Sequence, residues 1–186
     1  HLDTSQSVLL GSLPIFPYHT SNEGERSCRC LTQESLIPPE GLGEKALKNG
    51  LFLKVASDTD QTLLHCLGVQ SIAKEVAYSH HVLPMLNNMS SNRDRDLIVL
   101  QMLENLPAIL RGATTAEGKE SLLTALHTSS FVPDASGELR KPSELYDPDV
   151  PELMSLLGDE CFPKRIFQTA PMLRALRKVG LQSTMD

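Results

Sequence analysis

Tryptophan is absent from this 186-residue sequence, aromatic residues make up only 4%, and cysteine occurs four times. The cysteines, Cys28, Cys30, Cys66 and Cys161, are too few and too unevenly spaced for a disulfide scaffold in a chain of this length. We therefore expect reduced thiols. A chain of this size buries about 70% of the surface that it exposes when unfolded, so it can form a core without cross-links.

Long apolar runs and strong charge of one sign are also missing. No stretch of about 18 apolar residues occurs, and the first residues lack the basic start and the cleavage pattern of a signal peptide. The net charge is −6 and like charges are dispersed, so neither nucleic acid nor a membrane is an expected partner. These features predict a cytoplasmic protein, and the start at His1 indicates a piece of a longer chain.

Motifs for catalysis and for cofactor binding are missing as well. There is no G-x-S-x-G nucleophile turn. A zinc site needs four convergent ligands, which Cys28-x-Cys30 and the adjacent His80 and His81 do not supply. We predict no catalytic residue, no metal site and no cofactor in this chain.

The patterns that are present predict an α+β fold that is mostly helical, with short strands and one small β-hairpin near residues 130–141. Proline and glycine are dense in the first third, so residues 1–57 are expected to be irregular and rich in strands and loops. From residue 58 onward apolar residues recur at helical spacing, which predicts a helical part with the hairpin at residues 58–186. The two parts are expected to form one compact unit.

Capping residues, proline and glycine predict where the helices begin and end. Pro107 is expected to bend or end the third helix of the second part, and Gly68 and Gly180 lie where glycine commonly ends a helix. The predicted helix starts are an Asp or Thr near 58–60, Ser71, Ser91 or Asn92, Glu120, a capping box of Asp149 and Glu152, and Thr169.

The segment Asp134-Ala135-Ser136-Gly137 has two interpretations. A phosphate-binding loop needs several glycines so that successive backbone N–H groups can approach the anion, and only Gly137 is present. A hairpin turn needs a side-chain acceptor and a residue that adopts positive φ, and the segment supplies both between two short apolar runs. We predict the turn.

Four residues near this turn are candidates for contact with a partner. Tyr146 combines an apolar ring with a polar tip and is followed by Asp147 and a proline that keeps the chain extended. The alternative is that its ring packs the hairpin onto the following helix. Arg140 and Lys141 are basic residues expected in a loop, where solvated surface charge is the alternative explanation.

Several segments, taken in order, resemble the repeat region of the sacsin family of giant modular co-chaperones. They are Leu13-Pro14-Ile15-Phe16, Leu67-Gly68-Val69, Ser136-Gly137-Glu138-Leu139, Pro142, Leu145-Tyr146-Asp147-Pro148, Phe162-Pro163 and the closing series from Leu176 to Leu181. The resemblance covers nearly the whole chain.

The resemblance implies a place downstream of a GHKL-type ATPase domain and a role in chaperone function and protein quality control. The D-x-G-x-G loop of such an ATPase is absent, although Glu104-Asn105 is expected on a helix, so ATP binding is not implied. The expected partners are neighbouring segments of the same chain, chaperones or client proteins. Two alternatives are a plain helical scaffold and a middle domain in which Arg111, Arg140 or Lys141 assists nucleotide hydrolysis in trans.

Overall fold

The computed structural model describes residues 3–20 and 27–185. It confirms the predicted α+β fold, which is mostly helical with short strands and a hairpin. The chain divides into two compact units, His1–Ala77 and Tyr78–Asp186. This division lies later in the chain than the change of pattern at residue 58, because Leu64 and Val69 pack into the core of the first unit.

Short strand pairs organise the first unit. β1 and β2 are antiparallel, β3 and β4 are parallel, and single bridges at Phe52 and Leu53 extend the pairing. The bounds are β1 (Phe16–Pro17), β2 (Cys28–Arg29), β3 (Leu36–Ile37) and β4 (Gln70–Ser71), with helices α1 (Thr4–Gly11), α2 (Glu44–Leu47), α3 (Asp58–Cys66) and α4 (Lys74–Ala77).

The core of the first unit contains the buried residues Tyr18 and Ser35, whose hydroxyls are hydrogen-bonded. The Tyr18 ring is buried, and its hydroxyl donates to the backbone oxygen of Cys30 at 3.1 Å and lies beside the hydroxyl of Ser35. A buried tyrosine requires such partners because an unpaired hydroxyl in an apolar interior is destabilising. The hydrophobic cluster that contains Tyr18 also includes Phe16, Ile37, Leu53, Leu64 and Val69.

Helices form most of the second unit. α6 packs against α9, and α7 packs against the π-helical turn and the first 3₁₀ turn. The helical bounds are the π-helical turn Tyr78–Val82, α5 (Leu83–Leu86), α6 (Asn92–Gly112), α7 (Ala116–Thr128), α8 (Pro151–Leu156) and α9 (Ala170–Lys178), with 3₁₀ turns at Pro142–Glu144, Asp159–Cys161 and Arg165–Phe167.

The sequence predicts that Pro107 bends or ends the third helix, and the predicted end is wrong, because α6 continues to Gly112. Proline lacks the N–H that would bond the carbonyl of Leu103, but Pro107 lies on the exposed side of the helix. Leu103, Leu106 and Ile109 are buried along one stripe of the same helix. Burial of this continuous apolar stripe outweighs the lost hydrogen bond.

Three other predicted helix starts differ from the structure: Glu120, Ser71, and the capping box of Asp149 and Glu152. The helix expected at Glu120 begins at Ala116, because Thr115 is its N-cap. The helix expected at Ser71 begins at Lys74, because Ser71 pairs with Ile37 in β4. The capping box of Asp149 and Glu152 does not form, since α8 starts with Pro151 after Val150 and the Asp149 carboxylate binds an arginine instead. The predicted start at Thr169 is confirmed, since Thr169 is the N-cap residue of α9, although its side chain accepts no hydrogen bond there.

The β-hairpin is confirmed. β5 (Val132–Pro133) pairs antiparallel with β6 (Leu139–Arg140), with Val132 opposite Arg140. The Gly137 N–H donates to the Asp134 carbonyl at 2.9 Å and Gly137 has φ +89°, so the loop is a β-turn followed by a glycine at positive φ.

Gly180 follows the end of α9 at a positive φ that other residues adopt only with strain. A substitution at this position therefore tests the end of the helix. Its φ is +109°, and a Cβ added there would lie 3.2 Å from Nδ1 of His127. We expect Gly180→Ala to lower the free energy of unfolding by about 2 kcal/mol. Gly68 ends α3 with φ +85° and no atom within 4 Å of an added Cβ, so Gly68→Ala is the control and should cost about 1 kcal/mol. Equal urea midpoints for the two variants would contradict the contact with His127.

Candidate interaction surface

The hairpin turn is organised by the carboxylate of Asp134, which has no exposed surface. Oδ1 accepts hydrogen bonds from the backbone N–H and the hydroxyl of Ser136 at 2.9 and 2.6 Å, and from the backbone N–H of Glu138 at 3.0 Å. Oδ2 accepts from Nε of Arg140 at 3.3 Å. The carboxylate therefore uses both oxygens within its own loop, as the turn interpretation requires.

The charge of Asp134 is stabilised within the folded protein. Burial alone would raise the pKa of this carboxyl, but the hydrogen bonds from Ser136, Arg140 and the Glu138 backbone together lower the pKa below its ordinary value. Arg140 also binds Glu138 at 2.7 Å, and both carboxylates raise the pKa of its guanidinium. Arg140, a candidate for partner contact, is therefore engaged with two acidic side chains of its own hairpin.

Two contacts join the hairpin region to the start of α6. Nη2 of Arg95 donates to the Gly137 carbonyl at 2.6 Å, and Nζ of Lys164 lies 2.7 Å from Oδ2 of Asp96. Lys164 also donates its backbone N–H to the carbonyl of Pro133 at 2.8 Å. These contacts fix the turn and the 163–164 segment against one helix end.

Asp147, a second candidate for partner contact, is only 2% exposed. Its carboxylate accepts two hydrogen bonds from the Arg177 guanidinium and one from the backbone N–H of Asp149 at 3.0 Å. Nη2 of Arg177 also binds Oδ2 of Asp149 at 2.6 Å. Arg177 thus bridges one buried and one exposed carboxylate, and Asp147 contributes to the surface only by holding Arg177 in place.

The ion pair shifts both partners toward their charged forms. Burial alone would raise the pKa of Asp147, but the hydrogen bonds from Arg177 and from the backbone of Asp149 lower it below the ordinary value. The carboxylates of Asp147 and Asp149 in turn raise the pKa of Arg177. Asp147 and Arg177 are therefore both ionised at neutral pH.

Tyr146 is half-buried between two later segments of the chain. Its backbone N–H donates to the Cys161 carbonyl at 2.9 Å, and it forms a parallel bridge with Gln182. Its backbone is therefore fixed beside the 3₁₀ turn Asp159–Cys161.

The remaining basic candidates lie in different places. Lys141 is half-buried and donates its backbone N–H to Oε2 of Glu144 at 3.0 Å. Arg111 is exposed in the last turn of α6 and donates its Nε to the Pro107 carbonyl at 3.2 Å. Arg111 therefore contacts the backbone of its own helix.

Sequence reasoning did not identify Arg177 and Asp134 as the organising residues. Arg177 is 30 residues from Asp147 in the chain and also suits the negative end of α9, so its partner has no local signal. Asp134 was interpreted as a turn acceptor, and its complete burial follows from the way the loop folds over its carboxylate.

An open groove of about 740 Å³ lies in the first unit, between α1, the loop at residues 31–35 and the end of α3. Its polar lining consists of hydroxyls and amides, including Ser7, Thr32, Gln33 and Gln70. The apolar lining includes Val8 and Leu67. Such a lining supports hydrogen bonding and apolar contact.

Residues 3–20 and 27–185 contain neither a cluster of metal ligands nor a helix that could span a membrane. Within these ranges no cluster of three or more His, Cys, Asp or Glu side chains is arranged to hold a metal ion. Nor does any helix in them have the length and apolar character needed to cross a bilayer. The four cysteines are free thiols.

Comparison with protein-family models, curated proteins and solved structures finds no match to this chain.

Proposed function

We propose that this chain is a non-catalytic segment of a sacsin-like repeat, downstream of a GHKL-type ATPase domain, that serves protein quality control through protein contacts. The observation that carries the proposal is the contact between the segments on which the family resemblance rests and the residues beside them. Asp147 binds Arg177, which joins two of these segments directly. Asp134, two residues before another segment, forms a bridge with Pro163, and Gln182, one residue after the last, forms a bridge with Tyr146.

In these contacts, residues in and beside the segments that carry the resemblance stabilise the fold. Three segments that are distant in sequence are joined through buried carboxylates and backbone hydrogen bonds, which specify the arrangement of one unit. Residues that maintain such an arrangement suit a module whose outer surface, rather than a catalytic pocket, contacts other proteins. A cytoplasmic location and chaperones or client proteins as partners are part of the same proposal.

The test is suppression of protein aggregation. Light scattering is recorded while insulin is reduced in the presence of the 186-residue chain, with serum albumin at equal mass as the control. We expect the chain, but not albumin, to slow the rise in scattering, because exposed apolar side chains can cover the aggregating surface. Equal scattering with the chain and with albumin would contradict a direct role in quality control.

Assistance to nucleotide hydrolysis in trans is the competing function. Substitution of Arg140 distinguishes it from the proposed function. A residue that reaches a γ-phosphate must leave its present partners, and Arg140 binds Asp134 and Glu138. We expect the double variant Arg140→Ala, Lys141→Ala to leave ATP turnover of the complete repeat unchanged. A loss of about tenfold or more in turnover, without loss of the folded state, would support the ATPase-assisting role instead.

A further inference from the structure

The segment from Pro142 to Pro163 is acidic throughout: it contains Glu144, Asp147, Asp149, Glu152, Asp159 and Glu160 and no lysine, arginine or histidine. Asp147 and Asp149 share the single positive charge of Arg177, and Glu144 accepts the backbone N–H of Lys141. The other three carboxylates belong to exposed residues. None of the three forms an ion pair with any residue that the structure describes. The segment therefore presents uncompensated negative charge.

Apolar side chains lie among these carboxylates. Leu156 is 72% exposed, more than any other large apolar residue in the described part of the chain, and Met154 is 45% exposed. Successive helix positions are about 100° apart, so Leu156 and Met154 flank the buried Leu153 on either side. α8 thus has an apolar arc of which only the middle is covered by the protein.

The carboxylates border this arc. Glu152 lies one turn before Leu156 on the same side of α8, since residues four apart are neighbours on a helix. The carboxylate oxygens of Glu160 fold over Gly158, 2.5 Å from where a Cβ would stand, just beyond the end of α8. We call Glu152, Met154, Leu156, Asp159 and Glu160 the α8 surface.

We propose that the α8 surface binds a basic amphipathic helix of another protein, in which lysine or arginine alternates at helical spacing with leucine-like residues. Charge complementarity selects this occupant, because apolar contact covers Leu156 and Met154 while cations meet the three free carboxylates. The inference rests on the proposed function, whose partner chemistry it specifies.

A second copy of this chain fits less well. Its most basic helix is α9, where Arg174, Arg177 and Lys178 are exposed. The apolar residues of that helix, including Leu173 and Leu176, are already buried in its own unit. The chain therefore offers basic charge on α9 without the free apolar side that the α8 surface requires.

The experiment measures binding of a fluorescein-labelled leucine–lysine peptide of about 15 residues, long enough to form an amphipathic helix. A peptide with glutamate in place of lysine is the matched probe. We expect saturable binding of the lysine peptide that weakens with salt, and no saturable binding of the glutamate peptide. Met154→Ser with Leu156→Ser should raise the Kd about tenfold or more, because two apolar contacts are lost.

Two pairs of control substitutions separate this site from general attraction. Val8 and Leu9 are 69% and 67% exposed on α1, a helix without charged residues, so Val8→Ser with Leu9→Ser should leave the Kd unchanged. Glu117→Gln with Glu120→Gln removes two exposed acids of α7 and should also leave the Kd unchanged.

Replacing the three carboxylates of the α8 surface, Glu152, Asp159 and Glu160, by their amides should raise the Kd several-fold and reduce its salt dependence. Circular dichroism checks that each variant is folded.

Three results would overturn the proposal: no saturable binding, equal weakening by the α7 substitutions, or Leu156-dependent dimers in sedimentation of the chain alone. The outcome is separate from that of the proposed function. Suppressed aggregation without peptide binding removes the α8 surface and keeps the quality-control role. Peptide binding without suppressed aggregation would support the α8 surface as a binding site and contradict the quality-control role.

Discussion

Asp147→Ala is expected to lower the free energy of unfolding by about 2 kcal/mol, less than the 3–5 kcal/mol of a fully buried pair, because Arg177 is 41% exposed and can rehydrate. The change removes the acceptor of two guanidinium hydrogen bonds and of the Asp149 backbone N–H. Asp147→Asn keeps an acceptor and loses the charge, so it should fall between alanine and the natural residue. Since the chain has no tryptophan, urea unfolding is followed by circular dichroism.

The same ion pair predicts a pH dependence. The pKa of Asp147 is lowered in the folded state, so the carboxylate contributes stability at pH values above the unfolded-state pKa of about 3.9. That contribution is lost as the pH falls through the lower folded-state pKa. The stability difference between the natural chain and the Asn variant should therefore be constant from neutral pH down to about 5 and shrink below about 4.

Asp149 supplies the control for both measurements. Its side chain is 61% exposed and binds the same guanidinium, so Asp149→Asn should cost under about 1 kcal/mol. If Asp149→Asn were as destabilising as Asp147→Asn, the burial of Asp147 would not be the reason for its effect.

Local signals predicted the parts of the fold that depend on neighbouring residues. The glycine ends of α3 and α9 and the hairpin turn at Gly137 follow from residues within one or two turns of each other. Predictions were wrong where a contact with a residue distant in sequence determines the local structure. Ser71 pairs with a strand more than 30 residues earlier, and the Asp149 carboxylate binds Arg177 rather than capping α8.

The candidate surface was predictable only in part, for the same reason. The segment around residue 146 was identified from its composition, but the structure buries Asp147 and pairs Arg140 within its hairpin. The sequence does not predict the exposure of Leu156, because a leucine at helical spacing from Leu153 is usually packed. Its exposure follows from how few neighbours a six-residue helix at the surface has.

Asp134→Ala is expected to lower the free energy of unfolding by about 3 kcal/mol, because hydrogen bonds to a charged group contribute roughly 1.5–3 kcal/mol each and are not additive. Alanine leaves the backbone N–H groups of Ser136 and Glu138 and the guanidinium of Arg140 without their acceptor. Asp134→Asn keeps an oxygen for the two N–H groups, so it should lose less than alanine.

Glu138→Gln is the matched control for Asp134, because Glu138 binds the same Arg140 from a side chain that is 64% exposed. It should change stability by under about 1 kcal/mol. Amide hydrogen exchange locates the effect: in Asp134→Ala the Gly137 and Glu138 amides should exchange faster, since the turn hydrogen bonds open more often. The Lys164 amide, which bonds the Pro133 carbonyl, should follow them because the hairpin positions that carbonyl. Unchanged exchange at all three amides would show that the turn forms without the Asp134 carboxylate.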